Sequence, residues 1–158
     1  EPKVVQLDQN RVDLVYEINE GPVAKVQKIT FIGNDSFDSD DLRKALRTEE
    51  TAWYKFLSDN DKYDADRQQF DEELLRRFYN NAGYADFQVT SSTAELSPAK
   101  DAFYLTFVVE EGPQYMLGDV SIDNTLAETG EKIDLNKLMT TEKGATYDAS
   151  KVEDTVLA

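Results

Sequence analysis

Histidine and cysteine are both absent from this chain of 158 residues, and the two absences exclude a good deal. Ser-His-Asp and Cys-His nucleophilic sites cannot be built, nor can disulfides or the usual zinc sites. A cysteine-free chain suits an oxidising compartment without a disulfide framework and suits the cytosol equally, so compartment stays open on this count. Basic charge is also scarce: 17 Lys and Arg stand against 32 Asp and Glu, for a net charge of −15 and a pI near 4.3. That balance repels a phosphate backbone, and no basic stripe interleaved with aromatics occurs, so nucleic acid is not an expected partner. Anionic membrane surfaces are disfavoured for the same reason. No apolar run is long enough to span a bilayer as a helix. The opening Glu1-Pro2-Lys3 passes quickly into a strand pattern with no signal peptide, and the chain starts and stops within patterns, which is expected of a fragment.

What is present is enough to fold. Apolar residues make up 40% and aromatics 11%, and the mean hydropathy of −0.59 reflects 31% charged residues rather than a shortage of core formers. The pattern repeats. Val12-Asp-Leu-Val-Tyr-Glu-Ile-Asn-Glu-Gly-Pro22 returns 91 positions later as Phe103-Tyr-Leu-Thr-Phe-Val-Val-Glu-Glu-Gly-Pro113. Val26, Ile29 and Phe31 correspond to Leu117, Val120 and Ile122, and each run closes near an asparagine, Asn34 or Asn124. Thr48-Glu49-Glu50 returns as Thr141-Glu142-Lys143, and Tyr63-Asp64-Ala65 as Tyr147-Asp148-Ala149, the last at an offset of 84, so the second unit has lost a few loop residues. The expected division is therefore a closing strand of a preceding unit over 1–22, a complete unit over 23–111, and a truncated following unit over 112–158.

Within the complete unit, Val26–Ile32 is β-branched and aromatic and ends in the turn residues Gly33-Asn34-Asp35. Asp38 is placed as N-cap of a short helix, with Asp41 as an acidic capping-box partner and Phe37 and Leu42 as a hydrophobic staple. Residues 48–62 carry Trp53, Tyr54, Phe56 and Leu57, so the connection is expected against the core. A longer helix runs from Asp64 to about Ala82, with Phe70, Leu74 and Phe78 as its stripe, widened by Leu75 and Ala82, and Gly83 as its left-handed cap. Phe87–Glu95 alternates weakly and reads as a polar edge strand. A turn over Leu96–Asp101 leads into Phe103–Glu110, which alternates strongly and reads as central. The order is β-α-α-β-β: an α+β unit, its three-stranded sheet covered on one face by two helices.

The run Ile29-Thr-Phe-Ile-Gly-Asn34, then Phe37, Asn81-Ala-Gly-Tyr-Ala85 and Val109-Glu-Glu-Gly-Pro113, in this order and repeated, resembles the POTRA repeats of BamA-type outer-membrane protein assembly factors. The resemblance covers essentially the whole chain, and the Trp53-Tyr54 pair and Tyr63 are most similar to a middle repeat. It implies tandem POTRA modules in the periplasm of a Gram-negative bacterium, preceding a C-terminal membrane β-barrel of the same chain. The implied partners are unfolded outer-membrane proteins, received by β-augmentation, and accessory assembly lipoproteins. The edge implied for augmentation is Phe87, Gln88, Val89, Thr90, Ser91, Ser92 and Thr93, whose Ser-Ser-Thr stretch offers no bulky obstruction to a visiting strand. Gly21, Pro22, Gly112 and Pro113 form the joints between modules. Alternatives are a two-partner secretion transporter and a structural spacer without client binding.

No catalytic, metal or cofactor site is expected. Asp59, Asn60, Asp61, Asp64 and Asp66 fail the calcium-loop pattern, with Tyr63 at a ligand position and no glycine where the loop must turn. Glu72 and Glu73 with Arg76 and Arg77 read as pairs on a solvated helix face rather than as acid/base groups.

Overall fold

The computed structural model describes residues 2–7, 11–16, 24–52, 60–119 and 141–157. Strands β1 (Pro2–Leu7) and β2 (Arg11–Tyr16) form an antiparallel pair. Then come β3 (Lys25–Ile32), α1 (Ser39–Ala45), α2 (Ala65–Asn81), β4 (Gln88–Leu96), β5 (Ala102–Glu110) and α3 (Ala149–Leu157). β5 lies between β3, to which it runs parallel, and β4, to which it runs antiparallel. Trp53 to Leu57 of the aromatic connection lie outside the described residues.

The core follows from strand periodicity with one irregularity. Leu105, Phe107 and Val109 alternate on the helix-facing side of β5, and Phe31 stacks on Phe107 with ring centroids 5.7 Å apart. On β3 the buried residues are Val26, Ile29 and Phe31, and the first step of three is out of phase for a strand. A bulge between Val26 and Lys28 absorbs the extra residue and returns Ile29 to the core. Leu42 and Leu46 from the α1 region, Leu75 and Tyr79 from α2, and Phe87 complete the cluster. Each such side chain contributes roughly 1.5–3 kcal/mol by leaving water.

The helix starts and stripes depart from the periodic expectation in instructive ways. Asp38 does cap α1, but through its carbonyl, which accepts from the Asp41 and Leu42 amides; its side chain makes no cap bond. The Asp41 carboxylate is engaged by Lys44 at 2.7 Å and so does not complete a capping box. Phe37 sits edge-on among Phe78, Tyr79 and Tyr84, at 5.0, 5.1 and 5.8 Å. On α2, the Phe70-Leu74-Phe78 stripe is displaced by about one position. Phe70 is 54% exposed, whereas Gln68, Asp71, Leu75 and Tyr79 are buried. Two polar residues can occupy the inner face because both are fully employed. Asp71 accepts from the backbone amides of Arg47 (2.6 Å) and Thr48 (3.3 Å), and Gln68 accepts from Tyr63 Oη and donates to Ser92 Oγ.

Both ends of α2 are closed by local chemistry. Asp64 Oδ1 accepts from the amides of Asp66 and Arg67. At the other end Gly83, at φ +100°, sets a full Schellman turn: Tyr84 N–H reaches Tyr79 O at 3.0 Å and Gly83 N–H reaches Asn80 O at 3.3 Å. Tyr84 then packs on Tyr79, the hydrophobic contact that accompanies this ending.

The sequence repeat reappears in the backbone. Lys25 bridges Lys62 and Met116 bridges Thr146, the second pair lying 91 and 84 positions after the first. Tyr63 N–H donates to Ala24 O, and the corresponding Tyr147 N–H to Tyr115 O. Asp148 Oδ1 caps α3 through Ser150 and Lys151 as Asp64 caps α2, and Thr48 and Thr141 are both buried.

Asp61 gives the fold a dependence on acid. It is 2% exposed, and its Oδ2 accepts from Lys25 Nζ and Thr51 Oγ1, each at 2.7 Å. Burial by itself would push the carboxyl up, but the bonds from Lys25 and Thr51 outweigh it and hold the group below the ordinary aspartate value of 3.8. A depressed carboxyl contributes stability above its unfolded value and loses it as pH falls through the folded one. Asp61→Asn should therefore cost about 2 kcal/mol at neutral pH. The difference from the parent should narrow below about pH 4, which denaturation midpoints collected between pH 7 and 3 will measure. A constant difference across that range would mean the carboxylate charge is irrelevant.

Candidate strand-docking edge

A three-stranded sheet has two outer edges, and here they differ. Along β3, Val26 N–H donates to Asp61 O (2.6 Å) and Val26 O accepts from Thr51 N–H (2.8 Å). Ile29 N–H donates to Glu50 Oε1 at 2.8 Å, and Ile29 O accepts from the Arg43 guanidinium at 3.3 Å. Arg43 and Glu50 are themselves paired at 3.1 Å, so two side chains and the segment after α1 seal this edge. Along β4 the picture is reversed: among the described residues, no backbone group outside β5 bonds to Gln88–Leu96.

The direction of the free groups follows from pairing. Ser97 N–H donates to Ala102 O at 2.8 Å, which makes that the first hydrogen-bonded pair of the β4–β5 hairpin. Antiparallel pairs alternate, so Glu95 and Thr93 turn their backbone inward. Leu96, Ala94 and Ser92, opposite Phe103, Leu105 and Phe107, turn theirs outward. Three successive rungs are thus available to another strand.

The individual expected edge residues are not equivalent. Phe87 precedes the strand, is 3% exposed and stacks on Tyr79 at 4.0 Å; it is a core residue. Gln88 pairs with Glu110, and Val89 packs against the core. The register shifts between Val89 and Ser91, and Thr90 there turns its hydroxyl onto Val108 O at 3.1 Å. Only beyond this bulge is the ladder regular, so Ser91, Ser92 and Thr93 belong to an uninterrupted edge that continues through Ala94, Glu95 and Leu96. Leu96 is therefore an edge position that lies beyond the Phe87–Glu95 strand read from the sequence. Leu96 reads as the start of the Pro98 turn, and nothing in its own side chain marks it as paired with Phe103.

Of the joint residues, Gly112 sits at φ +70°, where an added Cβ would meet Asp86 Cβ at 3.1 Å, and Pro113 is exposed. Gly21 and Pro22 lie outside the described residues. The acidic cluster is already committed: Asp61 to Lys25 and Thr51, and Asp64 to its helix cap, while Asp59 lies outside the described residues. Of Glu72, Glu73, Arg76 and Arg77, Glu73 pairs with Arg76, one turn apart at i, i+3 rather than i+4.

The residues that mark the repeat in sequence meet at one corner, away from the β4 rungs. Gly33, at φ +90°, lies directly against Val109 O, and Asn34 Nδ2 donates to Phe37 O at 2.9 Å. The Glu111 carboxylate accepts from Ser36 N–H (3.0 Å), Ser36 Oγ (2.6 Å) and Tyr79 Oη (2.8 Å). Burial first, and then this bond to Glu111, push the Tyr79 hydroxyl far above the ordinary tyrosine range. Gly-Asn, Phe37, Gly-Tyr and Glu-Glu-Gly-Pro thus tie the ends of β3, α2 and β5 to one another.

Comparison with known proteins places this arrangement. The family model POTRA, described as surface antigen variable number repeat, matches residues 24–112. The chain is 30% identical over 151 residues to the outer membrane protein assembly factor BamA of Neisseria meningitidis serogroup B, covering 96% of this chain and 19% of that protein. It is 26% identical over 155 residues to BamA of Neorickettsia risticii, covering 98% and 21%. The chain thus spans about a fifth of the length of these curated relatives. A crystal structure of BamA POTRA3-5 from Haemophilus influenzae matches with a TM-score of 0.65 at 28% identity, over 84% of this chain and 51% of that one.

Proposed function

The chain belongs to the POTRA family and is a region of the BamA type, and from that premise we propose that it works as a non-catalytic, strand-receiving array of an outer-membrane protein assembly machine. Unfolded outer-membrane proteins approach it as extended segments and pair with β4 by β-augmentation. The array stands in the periplasm, ahead of a membrane β-barrel of the same protein, and accessory lipoproteins dock on it. Residues 1–22 are the closing strands of one module, 23–111 a complete module and 112–158 the start of the next, a division supported by the paired bridges Lys25–Lys62 and Met116–Thr146.

The observation that carries this reading is the asymmetry of the sheet: β3 is sealed by Asp61, Thr51, Glu50 and Arg43, while β4 turns the backbone of Ser92, Ala94 and Leu96 outward. Main-chain pairing supplies affinity with little demand on sequence, which suits many clients. The polar residues Ser91 and Thr93 leave the opposite side of the edge free of large apolar groups that would hold a client too long.

The test is a titration of labelled protein with an extended peptide of alternating apolar residues, followed at the backbone amides. Shifts should concentrate at residues 91–96. Leu96→Pro removes an outward N–H without costing a β5 ladder bond, so it should fold normally and lose the shifts. Shifts centred elsewhere, or a proline variant that binds as the parent does, would remove β4 as the receiving edge.

A further inference from the structure

The chain after β5 returns to bond carbonyls at the end of α2. Tyr79 O and Asn80 O are used by the Schellman turn. Ala82 O then accepts from Gln114 Nε2 at 2.9 Å, and Gly83 O from Tyr115 N–H at 2.8 Å. Tyr115 Oη donates to Asp86 Oδ2 at 2.6 Å, and that bond raises the tyrosine hydroxyl above its ordinary value. On its far side the same short segment is held by the 144–147 turn: Tyr147 N–H to Tyr115 O (3.0 Å), Leu117 N–H to Ala145 O (2.7 Å) and Gly144 N–H to Leu117 O (2.8 Å). Asn81 Oδ1 accepts from Ser150 N–H at 3.2 Å, tying α2 directly to α3.

Gly83 is at the centre of this contact and is buried. A Cβ there would stand 2.7 Å from Thr146 Cγ2, 3.0 Å from Gln114 Cγ and 3.2 Å from Tyr115 O. The missing side chain is therefore required twice, once for the positive φ and once for the approach of the following segment.

We propose that the Asn81–Asp86 turn is a socket that locks residues 114–117 and the 144–150 turn, so that α2 and α3 keep one fixed angle and the two consecutive units move as a single body. A Gly-Pro pair with no such contacts leaves a free swivel; here the hydrogen bonds at Ala82, Gly83, Asp86 and Asn81 remove it. The lock builds on the division of the chain proposed above and does not involve the β4 edge, so a failed peptide titration leaves it standing.

The absence of native cysteine makes the test direct. Spin labels at Gln69→Cys and Asp154→Cys, both exposed positions, report the α2–α3 distance by double electron–electron resonance. The parent should give one narrow peak. Gly83→Asn tolerates the left-handed backbone but puts its Cβ into Thr146, and should lose that peak to a broad distribution; adding Thr146→Ser should recover much of it. Asp86→Ala with Tyr115→Phe, which leaves the turn intact, should also broaden the distribution, with the far-ultraviolet spectrum unchanged. A broad parent distribution, or a peak that stays narrow in both sets of variants, overturns the lock.

Discussion

Replacing Gly33 with alanine should cost about 4 kcal/mol, a large share of the roughly 5–15 kcal/mol that stabilises an ordinary domain. The new Cβ would lie 2.3 Å from Val109 O and 3.4 Å from Val109 C, and the neighbour is the backbone of the central strand. No rotamer change relieves the contact; β3 and β5 must part where Ile32 pairs with Val108. Adoption of φ +90° by a residue with a side chain adds strain of about 1 kcal/mol. Gly33→Asn separates the two effects, since asparagine accepts the left-handed backbone but still carries the clashing Cβ. It should remain nearly as damaging as alanine. Urea denaturation of the parent and both variants measures this, and a loss under about 1 kcal/mol for alanine would mean that the corner yields easily.

Asp71→Ala should cost about 3 kcal/mol although the change favours the helix. Alanine improves the intrinsic propensity of α2 by roughly 0.5 kcal/mol. Against this, the buried carboxylate accepts from Arg47 N–H at 2.6 Å and from Thr48 N–H through both oxygens at 3.3 Å. Its removal leaves the Thr48 amide, in a residue 3% exposed, without that acceptor. Asp71→Asn keeps one acceptor and should lose roughly half as much. Thermal unfolding of the two variants checks the order; equal losses would show that the second oxygen contributes nothing. The loop pinned by Asp71 leads into Glu50 and Thr51, which seal β3, so a weakened Asp71 also threatens the asymmetry between the sealed β3 edge and the open β4 edge.

Much of the architecture is legible in local signals. The β-α-α-β-β order, the centrality of the Phe103 strand, the Gly83 ending and the 91-residue repeat all rest on periodicity and turn chemistry, which act between near neighbours in the chain. The α2 stripe was not legible in the same way. Apolar spacing selects Phe70, but the inner face includes Gln68 and Asp71, whose partners Ser92, Arg47 and Thr48 are supplied from other elements.

The limits of the edge show the same division. Polarity marks Ser91 to Thr93, yet the bulge beside Thr90 and the outward turn of Ala94 and Leu96 are properties of pairing with β5, which no side chain of β4 announces. By itself the sequence determined the modular fold, the repeat, the family and the elements that bear the candidate edge, because hydrophobic period and turn residues act locally. Which edge is open, which rungs face out, and that the Gly83 turn grips Gln114 and Tyr115 were decided only by the tertiary structure. Each of these depends on backbone hydrogen bonds between separate elements, and a backbone amide or carbonyl carries no mark of its partner until the chain has folded.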